Sequence, residues 1–422
     1  MEEEKKLAKR RKLNMKLYPV YRTLATDVLF FNAIKVLFLT QVKGFSNANV
    51  VFMESIYAFF KMTLQIPMTV IVSKLGTRKS VILGNIFWIL EVVLIMISKN
   101  YFMIILSQLA SAIGWSCKSI AEAPMLNKSI PEGHLKGKIF SKIDSKGYSR
   151  YCYISAITTV IAGFLYEINP YIPVIFTIVF MVFALIISFN FIDIKEEKVK
   201  TVKESINEVK DGFIFILKSP RLKSLLLMLG FMWGMICLFG TYQTTLLKDI
   251  NVSAKYIGII LAILDIVQGM SATKANKFNE KHKNKTLIYI SLRMAIGIAI
   301  AGGIVLIGLY RIPILAIIVF TYILRYYDKG VFQILKKRYM GNFMTPEILT
   351  KIYAGNSIIA SIFRMLAGAI GSYLLTIMTI QYAMVVVGIS FSVITLLFAI
   401  YMKTRIGLKP EEYTKKDVVC IG

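Results

Sequence analysis

Twelve apolar runs, separated by short polar loops, constrain this chain more than any other feature. Their approximate spans are 17–41, 47–73, 80–98, 101–123, 147–168, 171–193, 224–247, 252–273, 286–308, 312–333, 348–376 and 379–402. A helix needs about 20 predominantly apolar residues to cross a bilayer. Of the 422 residues, 56% are hydrophobic, which is more than a soluble domain needs to build its core. The sequence therefore predicts an all-α polytopic membrane protein with twelve transmembrane helices.

Lysine and arginine are unequally divided between the two sets of loops. If both termini lie on one side, that side carries 36 of these residues and the opposite side only five. The five are Lys43, Lys99, Lys248, Lys255 and Arg311. Positively charged loops stay on the cytoplasmic side, where they also meet anionic lipid head groups. We therefore expect a multi-pass protein of the cytoplasmic membrane with both termini in the cytoplasm. The net charge of +27 follows from this bias and indicates no nucleic-acid partner.

The longest loop divides the runs into six and six. The predicted parts are a basic cytoplasmic tail (1–16), a six-helix bundle (17–193), a cytoplasmic linker (194–223), a second six-helix bundle (224–402) and a cytoplasmic tail (403–422). In the linker, apolar residues from Val202 to Ile216 recur at helical spacing before Pro220, which predicts an amphipathic helix along the membrane surface. A solvated linker is the alternative. Gly163 and Gly371 stand at matching late positions in the two halves, as in pseudo-symmetric transporter repeats.

Several kinds of chemistry have no motif in this chain. It contains no GxxxxGK[ST] phosphate loop and no HExxH pair, and its two histidines, His134 and His282, lie in predicted loops. The four cysteines lack metal-ligand spacing. We therefore expect neither an enzyme nor a protein that binds a metal or another cofactor, and we expect a monomer.

Charged residues inside the apolar runs are the candidate functional residues, because a charge at the bilayer centre is costly and must face protein or water. Asp27 lies roughly 15 Å along the first run if that run is one helix. It is either a proton site or the partner of Lys61 in a structural ion pair. Arg22 and Arg293 are close enough to the membrane surface to extend to it. The predicted proton-coupling and substrate cavity comprises Asp27, Lys35, Lys61, Asp265, Gln268, Arg364, Tyr242 and Gln243.

Other charged residues cluster toward the cytoplasmic ends of the fourth, fifth and tenth runs. Because the fourth and tenth runs correspond in the repeat, we expect these residues to form an inner gate closed by ion pairs. Asp328 or Glu122 is expected to pair with Arg150, Arg364 or Lys329 when the cytoplasmic side is closed. The predicted gate comprises Gly76, Arg78, Glu122, Arg150, Arg325, Asp328 and Lys329.

The chain resembles the major facilitator superfamily. The resemblance covers nearly the whole length, and its most specific part is the loop sequence SKLGTRKSVILGN (Ser73–Asn85), which is similar to that family's G-x-x-x-D-R-x-G-R-R motif. Lys74, Gly76 and Arg78 match the later positions, whereas Ser73 replaces the Asp. The resemblance implies two pseudo-symmetric six-helix bundles and a role for Gly76 and Arg78 in the inner gate. The alternative is that this basic loop only binds anionic lipids and fixes the topology.

A secondary transporter that works by alternating access is the leading functional hypothesis. A proton gradient acting through Asp27 or Asp265 would drive it. The aromatic-rich first run favours export of a small amphiphilic compound. Uptake or exchange of an anionic metabolite is the main alternative, because Lys35, Lys61, Arg325 and Arg364 outnumber the two carboxylates. A non-transporting membrane sensor or assembly partner is the hypothesis from another class.

Overall fold

The structure is a computed structural model that describes residues 2–131, 136–192, 202–282, 285–308, 311–341 and 346–405. These residues form fourteen α-helices and one π-helical turn, Phe38–Val42. The α-helices are α1 Glu2–Ala25, α2 Phe31–Leu37, α3 Asn47–Leu75, α4 Thr77–Ile97, α5 Tyr101–Ser129, α6 Lys136–Ile168, α7 Tyr171–Phe189, α8 Val202–Lys218, α9 Pro220–Asp249, α10 Ala254–His282, α11 Lys285–Leu306, α12 Arg311–Gly341, α13 Pro346–Ile377 and α14 Ile380–Arg405. Residues 194–201 of the predicted linker and 406–422 of the predicted tail lie outside the described residues.

Helix ends follow from local sequence. The Asn100 side chain caps α5 by accepting a hydrogen bond from the Met103 amide at 3.0 Å. Ser219 caps α9 in the same way, with Pro220 in the first helical turn where its missing N–H has no consequence. Gly76 precedes α4 with a φ of 81°, a conformation that a side chain would strain.

Ten of the described helices are long and apolar enough to cross a membrane. Two predicted spans are not among the ten. The first run is divided between the end of α1 and a shorter apolar helix, Phe31–Val42. The other exception is α12, whose apolar character is interrupted by Arg325, Asp328 and Lys329. The all-helical architecture is confirmed for the described residues, and both exceptions carry candidate functional residues.

The chain divides into two compact units. Unit 1 comprises Met1–Lys43, Thr63–Ile206 and Ala254–Ala262, and unit 2 comprises Gly44–Met62, Asn207–Ser253 and Ile263–Gly422. These boundaries differ from the predicted bundles, because the first half of α3 clusters with unit 2 and the start of α10 with unit 1. Small residues permit close helix packing in both units. A Cβ added at Gly84 of α4 would lie 2.6 Å from Cγ of Lys118 on α5.

Candidate functional site

The first run is broken at residues 26–30, between α1 and α2. We expected one continuous helix there, and that expectation is wrong. The Leu29 amide donates to the Asp27 carbonyl at 3.0 Å, and the Phe31 amide donates to the Leu29 carbonyl at 2.7 Å. These are tight turns that replace the helical bonding pattern. Phe30 has a φ of 61°, a strained conformation for a residue with a side chain. Such strain persists only where surrounding structure enforces it.

Two neighbouring helices of unit 1, α5 and α7, hold the break in place. From α5, the Lys118 ammonium donates to the Ala25 carbonyl at the end of α1. From α7, the Thr177 hydroxyl lies 2.6 Å from the Leu29 carbonyl. The Phe30 ring packs against Phe176 and Phe180, with ring centroids 5.6 and 5.2 Å away. The Ala25 and Leu29 carbonyls at the break are therefore bonded, as a membrane interior requires.

Asp27 lies at this break and is partly exposed. One carboxylate oxygen accepts from the Val28 amide at 2.8 Å. The other accepts from the Asn32 amide group at 2.8 Å and from the Tyr151 hydroxyl of α6 at 3.2 Å. All three donors are neutral. Lys61, the expected ion-pair partner, belongs to unit 2, so the pairing of Asp27 with Lys61 stays a prediction.

A buried ionic cluster lies beside the break. The Lys118 ammonium is 3.8 Å from a carboxylate oxygen of Glu122 and 3.5 Å from the centroid of the Trp88 ring. Glu122 also accepts from the Tyr21 hydroxyl at 2.8 Å. Lys118 is only 3% exposed, so these contacts must compensate for the loss of water around its ammonium group. Of the three cations considered as partners of Glu122 in a closed gate, only Arg150 belongs to unit 1, and it is exposed on α6. The partner of Glu122 within unit 1 is instead Lys118, one turn earlier on the same helix.

Arg22 and Arg293, which we expect to extend to the membrane surface, are both held in ion pairs. The Arg22 guanidinium lies 3.0 Å from the Asp144 carboxylate of α6. Arg293 of α11 binds both carboxylate oxygens of Asp328 on α12, through its Nε at 2.7 Å and through its Nη2. Asp328 was expected to pair with another cation. The packing of α11 against α12 puts Arg293 opposite it.

A second ion pair in unit 2 joins α3 to α13. Arg364 donates to one carboxylate oxygen of Glu54 through its Nε at 2.8 Å and through its Nη2. Its guanidinium carbon also lies 4.4 Å from the centroid of the Tyr57 ring. The sequence analysis missed Glu54. Helical spacing could have found it, because Glu54, Tyr57 and Lys61 share one face of α3.

Arg325 of α12 is 3% exposed and donates through Nη2 to the side-chain oxygen of Gln243 on α9. Its guanidinium carbon lies 4.8 Å from the centroid of the Tyr326 ring. The Lys329 ammonium lies 4.6 Å from the same centroid. Arg325 had been assigned to the gate and Gln243 to the cavity, yet the structure brings them together.

The remaining candidates are more dispersed. Tyr242 is buried and donates to the Gly371 carbonyl at 2.6 Å, a bond that joins α9 to α13. Arg78 donates to the Phe189 carbonyl at the end of α7, 2.7 Å away. Lys35 on α2, and Asp265 and Gln268 on α10, are partly buried. Among the described residues, no group of three His, Cys, Asp or Glu side chains could hold a metal ion.

Comparisons with solved structures identify the fold. A POT family transporter in complex with 5-aminolevulinic acid shares 12% identity with this chain at a TM-score of 0.73, covering 93% of this chain and 96% of that one. The nucleoside transporter NupG matches with 12% identity and a TM-score of 0.71, covering 93% and 99%. A bacterial homolog of the human lysosomal transporter Spinster, inward-facing and unoccupied, matches with 14% identity and a TM-score of 0.68, covering 96% and 99%. At these identities the similarity shows a shared fold alone.

The sequence comparison gives the family. No curated protein matches this chain. The sequence profile of the Major Facilitator Superfamily, however, matches residues 22–328, which is well over half of the chain. The match includes the break in the first run, Lys118 and Glu122 beside it, and α12 as far as Asp328. Together with the transporter fold and the apolar helices, this match shows that the chain is a multi-pass membrane protein and belongs to the Major Facilitator Superfamily.

Proposed function

We propose that this protein is a secondary active transporter that works by alternating access and is driven by protons bound at Asp27. The observation that carries the proposal is the position of this carboxylate at a strained break between two helices of a transporter fold. Discontinuous membrane helices are where secondary transporters bind coupling ions and substrates. A carboxylate within a membrane helix is expected to have such a role unless it is purely structural.

The partners of Asp27 suit a group that gains and loses a proton. A tyrosine hydroxyl donates to a carboxylate and can accept from a carboxylic acid, and an asparagine side chain also offers both a donor and an acceptor. Tyr151 and Asn32 can therefore bond Asp27 in either protonation state by local reorientation. Lys118 could not do so, since an ammonium only donates. In this proposal Lys118 fixes the end of α1, and Asp27 carries the proton.

The proposal includes the topology expected from the charge bias. Twelve spans, counting the broken first run and α12, would form two six-helix halves in the cytoplasmic membrane, with both termini in the cytoplasm. A cysteine at Lys43, Lys248 or Arg311 should react with an impermeant thiol reagent added outside intact cells. A cysteine at Arg78 or Lys283 should react only after the membrane is opened; Lys283 lies outside the described residues. Reversed labelling would contradict this orientation.

The proposal also includes an inner gate at the cytoplasmic side. We retain Gly76, Arg78, Glu122, Arg150, Asp328 and Lys329 as proposed inner-gate residues. The burial of Arg325 is better explained by its contact with Gln243 than by a role in the gate.

The substrate hypotheses were export of a small amphiphilic compound and transport of an anionic metabolite. The buried guanidinium of Arg325 favours the anion.

Proton flux into proteoliposomes tests the proposed function. Purified protein would be reconstituted with a pH-sensitive dye inside the vesicles, and a panel of organic acids, amphiphilic amines and neutral metabolites would be added outside. We expect at least one solute to move protons with the wild-type protein and none to do so with Asp27→Asn. Asp249→Asn is the matched control, because Asp249 is exposed at the end of α9. Solute-dependent proton flux that persists in Asp27→Asn would contradict the proposal, and a wild-type protein that moves no solute would favour the membrane-sensor hypothesis.

A further inference from the structure

Unit 2 contains a buried cluster of hydrogen-bond donors that the proposed proton coupling does not use. It is formed by Arg325 and Tyr322 of α12 and Gln243 of α9, each at most 3% exposed. Tyr322 precedes Arg325 by three residues and so lies on the same face of α12. Gln243 is joined to Arg325 by a side-chain hydrogen bond. We call these three residues the donor cluster.

Each member of the donor cluster has a buried polar atom without a hydrogen-bond partner. These atoms are Nε of Arg325, Nε2 of Gln243 and the hydroxyl oxygen of Tyr322. Buried polar atoms in proteins are nearly always hydrogen-bonded, so three such atoms in one cluster require an explanation. All three can donate a hydrogen bond, and the Arg325 and Gln243 nitrogens can only donate. Their missing partner is therefore an acceptor.

The charge of the donor cluster also indicates what the missing acceptor is. Arg325 carries a full positive charge, and its bonded partner Gln243 is neutral. Asp328, one turn along α12, is bound at both oxygens by Arg293. A buried charge is normally paired with an opposite charge. The acceptor that completes the cluster is thus expected to be an anion.

There is free space next to the cluster. Gly240 lies three residues before Gln243 on α9, and a Cβ added to it would meet no atom within 4 Å. Gly240 itself is partly exposed, whereas the buried glycines of unit 2 are tightly packed; at Gly234, for example, a Cβ would lie 2.6 Å from the Phe363 carbonyl oxygen. The face of α9 that carries Gly240 and Gln243 therefore has room for a small group.

We propose that the donor cluster binds the carboxylate group of a small organic anion, which is the transported substrate. This inference rests on the proposed function, since it names the substrate class of the proposed transporter. The planar guanidinium of Arg325 can pair with two oxygens of a carboxylate. Gln243 and Tyr322 supply further donors without adding charge. One positive charge balances a monocarboxylate better than a doubly charged phosphate.

Thermal unfolding of the purified full-length protein in detergent tests this site without requiring transport. Short aliphatic and aromatic monocarboxylates would be added at millimolar concentration, each beside its own primary amide. We expect at least one carboxylate to raise the unfolding midpoint and its amide to have no effect. Tyr322→Phe and Gln243→Ala should each weaken binding roughly tenfold, since each removes a hydrogen bond to a charged group. Gly240→Leu should abolish binding by filling the space.

Arg325→Gln should abolish the shift, and Arg10→Gln, at an exposed position of α1, is its matched control. If Arg325→Gln does not fold, Tyr322→Phe and Gly240→Leu decide the question. Carboxylate binding that is unchanged in the folded cluster variants, or the absence of any carboxylate shift in the wild type, would overturn the inference. A larger shift with inorganic phosphate, dependent on Arg325, would overturn the choice of a carboxylate.

Asp27→Asn separates this inference from the proposed function. If both are correct, Asp27→Asn binds the carboxylate as the wild type does but loses proton flux. If only the carboxylate site is correct, binding depends on Arg325 while Asp27→Asn keeps proton flux. If only the proton site is correct, proton flux depends on Asp27, and neither binding nor flux depends on Arg325.

Discussion

Lys118 in unit 1 and Arg325 in unit 2 are both buried cations that bond to a neighbouring helix, but their surroundings differ. Lys118 donates to a carbonyl at the end of α1, contacts Glu122 and lies over the Trp88 ring. Arg325 donates to a neutral side chain of α9, and its Nε has no partner. In the proposed repeat, α5 and α12 are equivalent helices, as are α1–α2 and α9. The comparison suggests that one cation serves the structure and the other serves a ligand.

Substituting the two cations should change stability by very different amounts. Lys118→Met removes the bond to Ala25 and leaves the Glu122 carboxylate buried beside no ammonium, which should cost about 3–5 kcal/mol. Arg325→Met removes a charge that lacks an opposite charge, so stability should change by no more than about 1 kcal/mol. The thermal unfolding midpoint in detergent measures both variants.

Lys142→Met, at an exposed position of α6, is the control for Lys118→Met. Adding Glu122→Gln to Lys118→Met should restore part of the lost stability, because it removes the stranded charge. A Lys118→Met protein as stable as the wild type would remove the structural role from Lys118. A large loss in Arg325→Met would show that Arg325 is structural as well.

The Glu54–Arg364 pair extends the comparison to a cation that has a carboxylate partner. Glu54→Gln should cost about 2–3 kcal/mol, because an amide replaces the carboxylate that neutralises a largely buried guanidinium. Glu167→Gln is the matched control. Its ion pair with Lys255 is about one-third exposed on both sides and should contribute less than about 1 kcal/mol. Equal midpoints for the two variants would show that the Glu54–Arg364 pair contributes little.

The strained backbone at Phe30 gives the smallest expected effect. Phe30→Gly should be more stable than Phe30→Ala by about 1 kcal/mol, because glycine adopts a positive φ without the steric cost that alanine meets. The usual order holds inside α2, where Ala33→Gly should lose about 1 kcal/mol. Comparing Gly with Ala at one position cancels the loss of the Phe30 ring. An alanine variant as stable as the glycine variant would argue against strain at the break.

The sequence predicted the all-helical membrane architecture because the length of an apolar run is a local property. It did not predict the break in the first run, since residues 20–43 contain neither proline nor glycine. The break depends on distant groups, the Lys118 ammonium and the Thr177 hydroxyl, which bond the freed carbonyls. Most candidate residues could be identified because they are charged residues within apolar runs. The residues that they contact could not be identified in this way. The pairing of Asp328 with Arg293 depends on helix packing, which periodicity alone does not give.

Accumulation of labelled solute in proteoliposomes, with the membrane potential clamped, tests the central claim that a proton at Asp27 drives transport. The solute would be the one that produced the largest proton flux. We predict that the wild type accumulates it under an imposed pH gradient, and that Asp27→Asn does not. Asp27→Asn should still exchange labelled for unlabelled solute at equal pH, because exchange needs binding and alternating access but no net proton movement. Accumulation by Asp27→Asn at the wild-type level would contradict the account.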